Sequence, residues 1–215
     1  MKRIFALALA ALMMAACSDT PRNYNRGVYM LIDTSGTYTQ ELQKAQQIIN
    51  YTLAKLDTGD SFVVASIDTG SFSEKDIIAK VTFDDRPSNA NQQKRAFQEA
   101  IDAYVKGVKS SPFTDITGGI LQATEYLNER GPNKKTILVF SDMKEDLKPG
   151  YIRDIPFTLD GFDVVALNVT KLRSDNIDPR EYMQRLDEWK ARVEEAGGRW
   201  KVINDLERLD GLIQE

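Results

Sequence analysis

Short apolar runs rich in β-branched and aromatic residues alternate along this chain with longer segments whose apolar residues recur every three or four positions. Residues 28–32, 62–67, 137–140 and 164–169 are of the first kind and read as buried parallel strands. Leu42, Ala45, Ile49, Leu53 and Leu56 define one helical stripe, and Phe97, Ile101, Tyr104 and Val108 a second. A third runs through Met183, Leu186, Trp189, Val193 and Ala196, opened by Asp178-Pro179 as N-cap and first turn and closed by Gly197-Gly198. Residues 77–83 follow the second strand after a short loop and are placed as an antiparallel edge. Residues 199–203 read as a last strand and 206–213 as a closing helix. The alternation predicts an α/β fold: a Rossmann-like, doubly wound, mostly parallel central sheet with one antiparallel edge strand, right-handed crossovers and helices on both faces. Such sheets carry their sites beyond the carboxyl ends of the strands. Asp33 and Asp142 both fall there.

The first residues follow a different pattern from the rest of the chain. Lys2 and Arg3 precede a short apolar run over residues 4–13, and Met14-Ala15-Ala16 leads to Cys17, the single cysteine of the chain. The run is shorter than the ~20 residues a membrane span needs and suits a secretory signal. The tetrapeptide resembles the lipobox of bacterial lipoproteins, which implies cleavage after residue 16 and lipidation of Cys17. Residues 17–26 then form a lipidated cysteine and a short polar tether with a reach of roughly 30 Å at ~3.4 Å per residue, and residues 27–215 form one domain. Ser18 after the cysteine resembles lipoproteins sent to the outer membrane, so the expected location is the cell envelope, on the periplasmic face of that membrane.

Composition removes several chemistries. Histidine is absent, and a mature chain with one acylated cysteine has neither a disulfide nor a free thiol. Ser-His-Asp and Cys-His catalysis and His- or Cys-ligated zinc are excluded. Losing residues 1–16 takes away two cations and no acids, so the formal charge moves from −4 to −6. An acidic domain of mixed sign is not built for nucleic acid or an anionic lipid surface. Attachment to the membrane is expected through the lipid.

The candidate chemistry begins at Asp33-Thr34-Ser35-Gly36-Thr37, a carboxylate and two hydroxyls at alternate positions after an apolar run. Hard oxygens of this kind suit Mg²⁺, Mn²⁺ or Ca²⁺, although Asp, Ser and Thr after a strand are equally ordinary helix caps. Two later segments bear on it: a loop, Ser111-Pro112-Phe113-Thr114-Asp115, running into a helix, and a strand ending at Ser141-Asp142. Together these residues resemble the von Willebrand factor A-type domain and its metal-ion-dependent adhesion site, whose pattern is Asp-x-Ser-x-Ser, then a Thr, then an Asp after a later strand. The resemblance extends from about Arg26 to the C-terminus. It implies a metal site of Asp33, Ser35, Thr37, Thr114 and Asp142, with Thr37 in place of the usual serine and Met143 where glycine is common after the aspartate. It further implies a divalent cation that completes its shell with an Asp or Glu of a partner protein, a binding module and not an enzyme.

Two rival readings rest on local likenesses. Asp68-Thr69-Gly70-Ser71 looks like the active-site turn of aspartic proteases, but that chemistry needs paired carboxylates in an all-β fold, and the segment reads better as a strand-to-loop turn. Asp33-x-x-Gly36-Thr37 also resembles the phosphorylated loop of haloacid-dehalogenase-like phosphatases, with Asp142 and Asp146 as a distal pair, although Ser35 stands where their acid–base aspartate belongs. A von Willebrand-type fold with a structural or vacant site is the third alternative. Glu145 and Asp146 read as solvated loop acids, and Trp189 and Trp200 as core.

Overall fold

The computed structural model describes residues 25–36, 38–68, 70, 72–153, 155–172 and 174–205. Cys17, Thr37, Thr69, Ser71 and the expected helix over 206–213 lie outside them. Six strands, β1 (Arg26–Asp33), β2 (Ser61–Ile67), β3 (Ile77–Thr82), β4 (Lys134–Phe140), β5 (Phe162–Leu167) and β6 (Arg199–Ile203), form one sheet in the order β3-β2-β1-β4-β5-β6. Every neighbouring pair is parallel except β2 with β3, which is antiparallel, as the apolar pattern predicts.

The strand sequences are apolar nearly throughout because both faces are covered. Val28, Met30 and Ile32 of β1 enter one core with the stripes of α1 (Leu42–Lys55) and α2 (Pro87–Gly107). Tyr29 and Leu31 point the other way, into a second core with α3 (Ile116–Arg130) and α4 (Pro179–Glu195). The period of two along a strand thus divides one run between two layers. Asp178 caps α4 by accepting a hydrogen bond from the Arg180 N–H at 3.0 Å, as Asp-Pro suggests.

Three details depart from the sequence pattern. Helix α2 begins at Pro87, ten residues before the apolar stripe, because its first turns are polar and carry no helical period; Pro87 at its start is the readable signal. Met183 is exposed on α4, the stripe's core side being carried by Trp189 and Val193. Trp200 is half-buried on the edge strand β6.

The chain leaves β1 towards β2 through α1 and returns through α3 to β4 on the other side of β1. The carboxyl ends of β1 and β4 therefore flank the point where the winding reverses, the position at which open α/β sheets leave a crevice. Helix α3 starts at this crevice and lies close to β1 because residue 119 is glycine: a Cβ there would sit 3.1 Å from both Leu31 methyl carbons.

Candidate functional site

β1 ends on Asp33, which is fully buried. Its Oδ2 accepts a hydrogen bond from the Ser141 hydroxyl at 2.7 Å, and its Oδ1 accepts one from the Ser35 N–H at 2.8 Å. The Thr114 hydroxyl lies 3.4 Å from the same Oδ1. Asp142 follows β4 by two residues, is buried, and turns back through Oδ1 to accept the Lys144 N–H at 2.8 Å. Of the five residues expected at the site, Asp33, Ser35, Thr114 and Asp142 thus lie at the crevice, while Thr37 lies outside the described residues.

Backbone pairing holds these loops together. The Ser111 N–H donates to the Thr34 carbonyl at 2.9 Å, within an isolated parallel bridge between Ser35 and Ser111. Thr114 and Asp146 exchange two hydrogen bonds at 2.8 and 2.9 Å, and the Asp115 N–H donates to the Asp68 carbonyl at 3.2 Å. Helix α4 grips the loop after β4: Arg185 Nε donates to the Asp142 carbonyl at 2.9 Å and Trp189 Nε1 to the Met143 carbonyl at 2.9 Å. Arg185 is itself held by the buried Asp175 at 2.8 Å. Between those two carbonyls Met143 adopts φ +64, a left-handed conformation suited to glycine, while its side chain is fully buried in the second core.

The electrostatics are unbalanced. Burial raises the Asp33 carboxyl above its usual range, opposed by its hydrogen bonds to Ser141 and Ser35. Burial, with the Asp33 charge adding to it, pushes Asp142 up to about 6. Among the described residues neither carboxylate forms an ion pair; the nearby Arg185 is committed to Asp175. Asp115, one residue from Thr114, is instead neutralised by Arg153 at 2.7 Å and caps α3 through the Gly118 N–H at 2.8 Å. Two buried acids whose charges oppose one another, only partly offset at Asp142 by Arg185 and Lys144 and set beside hydroxyls, form a donor set that fits a hard divalent cation. Among the described residues no three acidic side chains converge as a metal-binding group; the further side-chain oxygens at the crevice are the Ser35 and Thr114 hydroxyls.

Several contributors carried no signal in the sequence. Ser141, which orients Asp33, had only its place beside Asp142 at a strand end. Arg185 and Trp189 act through loop carbonyls and look like ordinary residues of an amphipathic helix. Glu145, expected as a solvated acid, is half-buried and binds the start of α3, accepting from the Thr117 N–H at 2.6 Å and its hydroxyl at 3.0 Å. After Asp68 the chain turns at Gly70 (φ +79), in keeping with a strand-to-loop turn.

An open, mostly parallel sheet with carboxylates and hydroxyls gathered at its switch point places the protein among doubly wound α/β domains. Within that class the chain has the von Willebrand factor A-type fold. It superimposes on a von Willebrand factor type A structure from Catenulispora acidiphila with a TM-score of 0.50 at 16% identity, covering 89% of this chain and 41% of that one. It is similar also to the conserved hypothetical protein BatB from Bacteroides thetaiotaomicron (TM-score 0.51, 13% identity, 88% and 96% of the two chains). A third structure is the pilus adhesin SpaC from Lactobacillus rhamnosus GG in its open conformation (TM-score 0.54, 12% identity, 89% and 29%). The chain thus matches BatB over nearly its full length and the other two over less than half of theirs. At these identities the likeness is one of fold. The sequence matches no protein-family model and no curated protein.

Proposed function

We propose that this protein is a binding module of the bacterial cell envelope that uses a divalent cation to hold an acidic residue of a partner protein. The observation that carries the reading is the pair of buried carboxylates, Asp33 and Asp142, both held above their ordinary range and set among hydroxyls at the sheet's switch point. Asp33, Ser35, Thr114 and Asp142, with Thr37, would hold the ion, which is Mg²⁺, Mn²⁺ or Ca²⁺ by the hardness of its oxygen donors. Bound there with few negative ligands, the cation would supply an electrophilic position for a carboxylate from outside. The chain's own part is to orient: Ser141 and the Ser35 N–H fix Asp33, and α4 fixes the loop that carries Asp142.

A pilus adhesin stands among the structural neighbours, which supports a binding reading. Among the described residues no helix is long and apolar enough to cross a membrane. Anchoring is assigned to a lipid on Cys17 after removal of residues 1–16, with residues 17–26 as tether to the domain over 27–215. No catalytic role is assigned to any residue, and no nucleic-acid partner.

The test is a pull-down from envelope extract with the full chain as bait, in Mg²⁺ and in chelator, beside an Asp142→Ala bait. Partners retained only with metal and lost with the variant are the expected result. Capture that ignores both chelator and variant, or hydrolysis of a phosphomonoester that depends on Asp33, would overturn the reading.

A further inference from the structure

Away from the crevice, a cavity of about 300 Å³ lies beside α3 and the start of β3, walled by Phe72, Ser73, Glu74, Ile77, Gln122, Glu125, Tyr126 and Glu129. Gln122, Glu125, Tyr126 and Glu129 come to it together because spacings of three and four residues share one face of a helix. Its wall contains three carboxylates and no cation. Lys80 pairs with Glu74 at 3.2 Å and Arg130 stacks on Tyr126 at 5.5 Å, but neither belongs to the wall.

A second observation is independent of that charge. Among the described residues four buried side-chain oxygens have no hydrogen-bond partner; one, on Gln122, stands in this wall, and two, on Tyr29 and Asp76, belong to residues next to wall residues. Gln122, only 8% exposed, stands in the wall with an unpartnered Oε1. The Tyr29 hydroxyl is unpartnered behind it, its fully buried ring packed edge-on to Tyr126 at 5.8 Å. Asp76, whose Oδ2 is likewise unpartnered, lies between the wall residues Glu74 and Ile77 in the chain. Burial and the Asp68 charge push Asp76 up to about 6, against the opposing pull of the Ser73 backbone and the Lys75 charge. Buried polar oxygens without partners are costly. They therefore mark a place where donors are missing.

We propose that this cavity receives the guanidinium of an arginine presented by a partner protein. A guanidinium has five donors and no acceptor, which matches a wall of carboxylates and orphan oxygens. Phe72 offers an aromatic face for its plane, and Phe72 and Ile77 offer apolar surface for the methylene stem. The cavity has room for roughly ten waters at ~30 Å³ each, far more than a bare ion fills.

The experiment titrates the ¹⁵N-labelled full chain with acetyl-Gly-Arg-Gly-amide, with its neutral citrulline counterpart, and with spermidine as a free polyamine. Saturable shifts at Ser73, Gln122 and Tyr126 are expected with the arginine peptide and absent with citrulline, and spermidine should bind at least about tenfold more weakly. Glu125→Gln with Glu129→Gln, both exposed, should weaken the arginine peptide about tenfold or more, and Gln122→Leu should weaken it too. Chelator and Asp33→Ala should leave binding unchanged, which separates this site from the metal reading. Equal response to citrulline, tighter binding of spermidine, shifts that map to the Asp33 crevice, or no saturable shift would each overturn the proposal.

Discussion

Met143 combines two features that pull in opposite directions, and a pair of substitutions separates them. Its φ of +64 suits glycine, yet its side chain is 0% exposed in the core under α4. Met143→Ala removes the buried side chain but keeps a Cβ, so it loses about 2–5 kcal/mol from transfer and cavity terms and retains the left-handed strain. Met143→Gly loses the same side chain but relieves strain of about 1–2 kcal/mol, offset in part by glycine's freer unfolded chain. Both variants should be destabilised, with glycine the more stable by about 1 kcal/mol. At an ordinary position the order is reversed. For a domain of this size each kcal/mol corresponds to roughly 2–4 °C in Tm. Calorimetry should therefore find Met143→Ala about 4–20 °C below the native protein and Met143→Gly a few degrees above the alanine variant. A glycine variant equal to or less stable than the alanine variant would refute the backbone argument. Two variants as stable as the native protein would refute the burial.

The remaining predictions concern the crevice, the helix beside it and the anchor. Asp142 is raised from 3.8 to about 6, so between those values the folded protein holds a proton that the unfolded chain has released, and stability present below the lower value is lost as pH rises through the upper. In chelator the melting temperature should fall between about pH 4 and pH 6.5, and Asp142→Asn should shrink that fall; Asp76, also raised to about 6, acts in the same direction. A melting temperature that climbs over this range would contradict the assignment. Gly119→Ala gains about 1 kcal/mol of helix propensity but forces a Cβ to 3.1 Å from the fully buried Leu31, so overpacking of about 1–3 kcal/mol should win and urea titration should show net loss; a stabilised variant would show that Leu31 can move. Cys17→Ser should shift the protein from the membrane fraction to the soluble one, and unchanged fractionation would remove the lipid anchor from the account.

What could be read from the sequence is what has a period or a fixed neighbour. Apolar runs gave away the strands, and an acid directly after such a run placed Asp33 and Asp142 at the carboxyl edge. Thr114 could be placed only through a resemblance in motif order. The contacts that assemble the crevice are long-range and mostly backbone: Ser111 against Thr34, Thr114 against Asp146, Arg185 and Trp189 against loop carbonyls. A carbonyl acceptor leaves no trace in residue type, so these pairings were invisible. Glu145 shows the opposite failure, a charged loop residue whose role as a partner of the α3 terminus depends on where a helix 28 residues earlier begins. The polar first turns of α2 were missed for want of an apolar stripe, although Pro87 marked their start.

The central claim is that Asp33 and Asp142 are two acids awaiting one cation. Isothermal titration of the metal-free protein with Mn²⁺, run beside Asp33→Ala, tests it directly. One saturable site is expected in the native protein, accompanied by a rise in melting temperature, with both responses lost in the variant. Equal binding and equal stabilisation in the two proteins would place any metal elsewhere and contradict it.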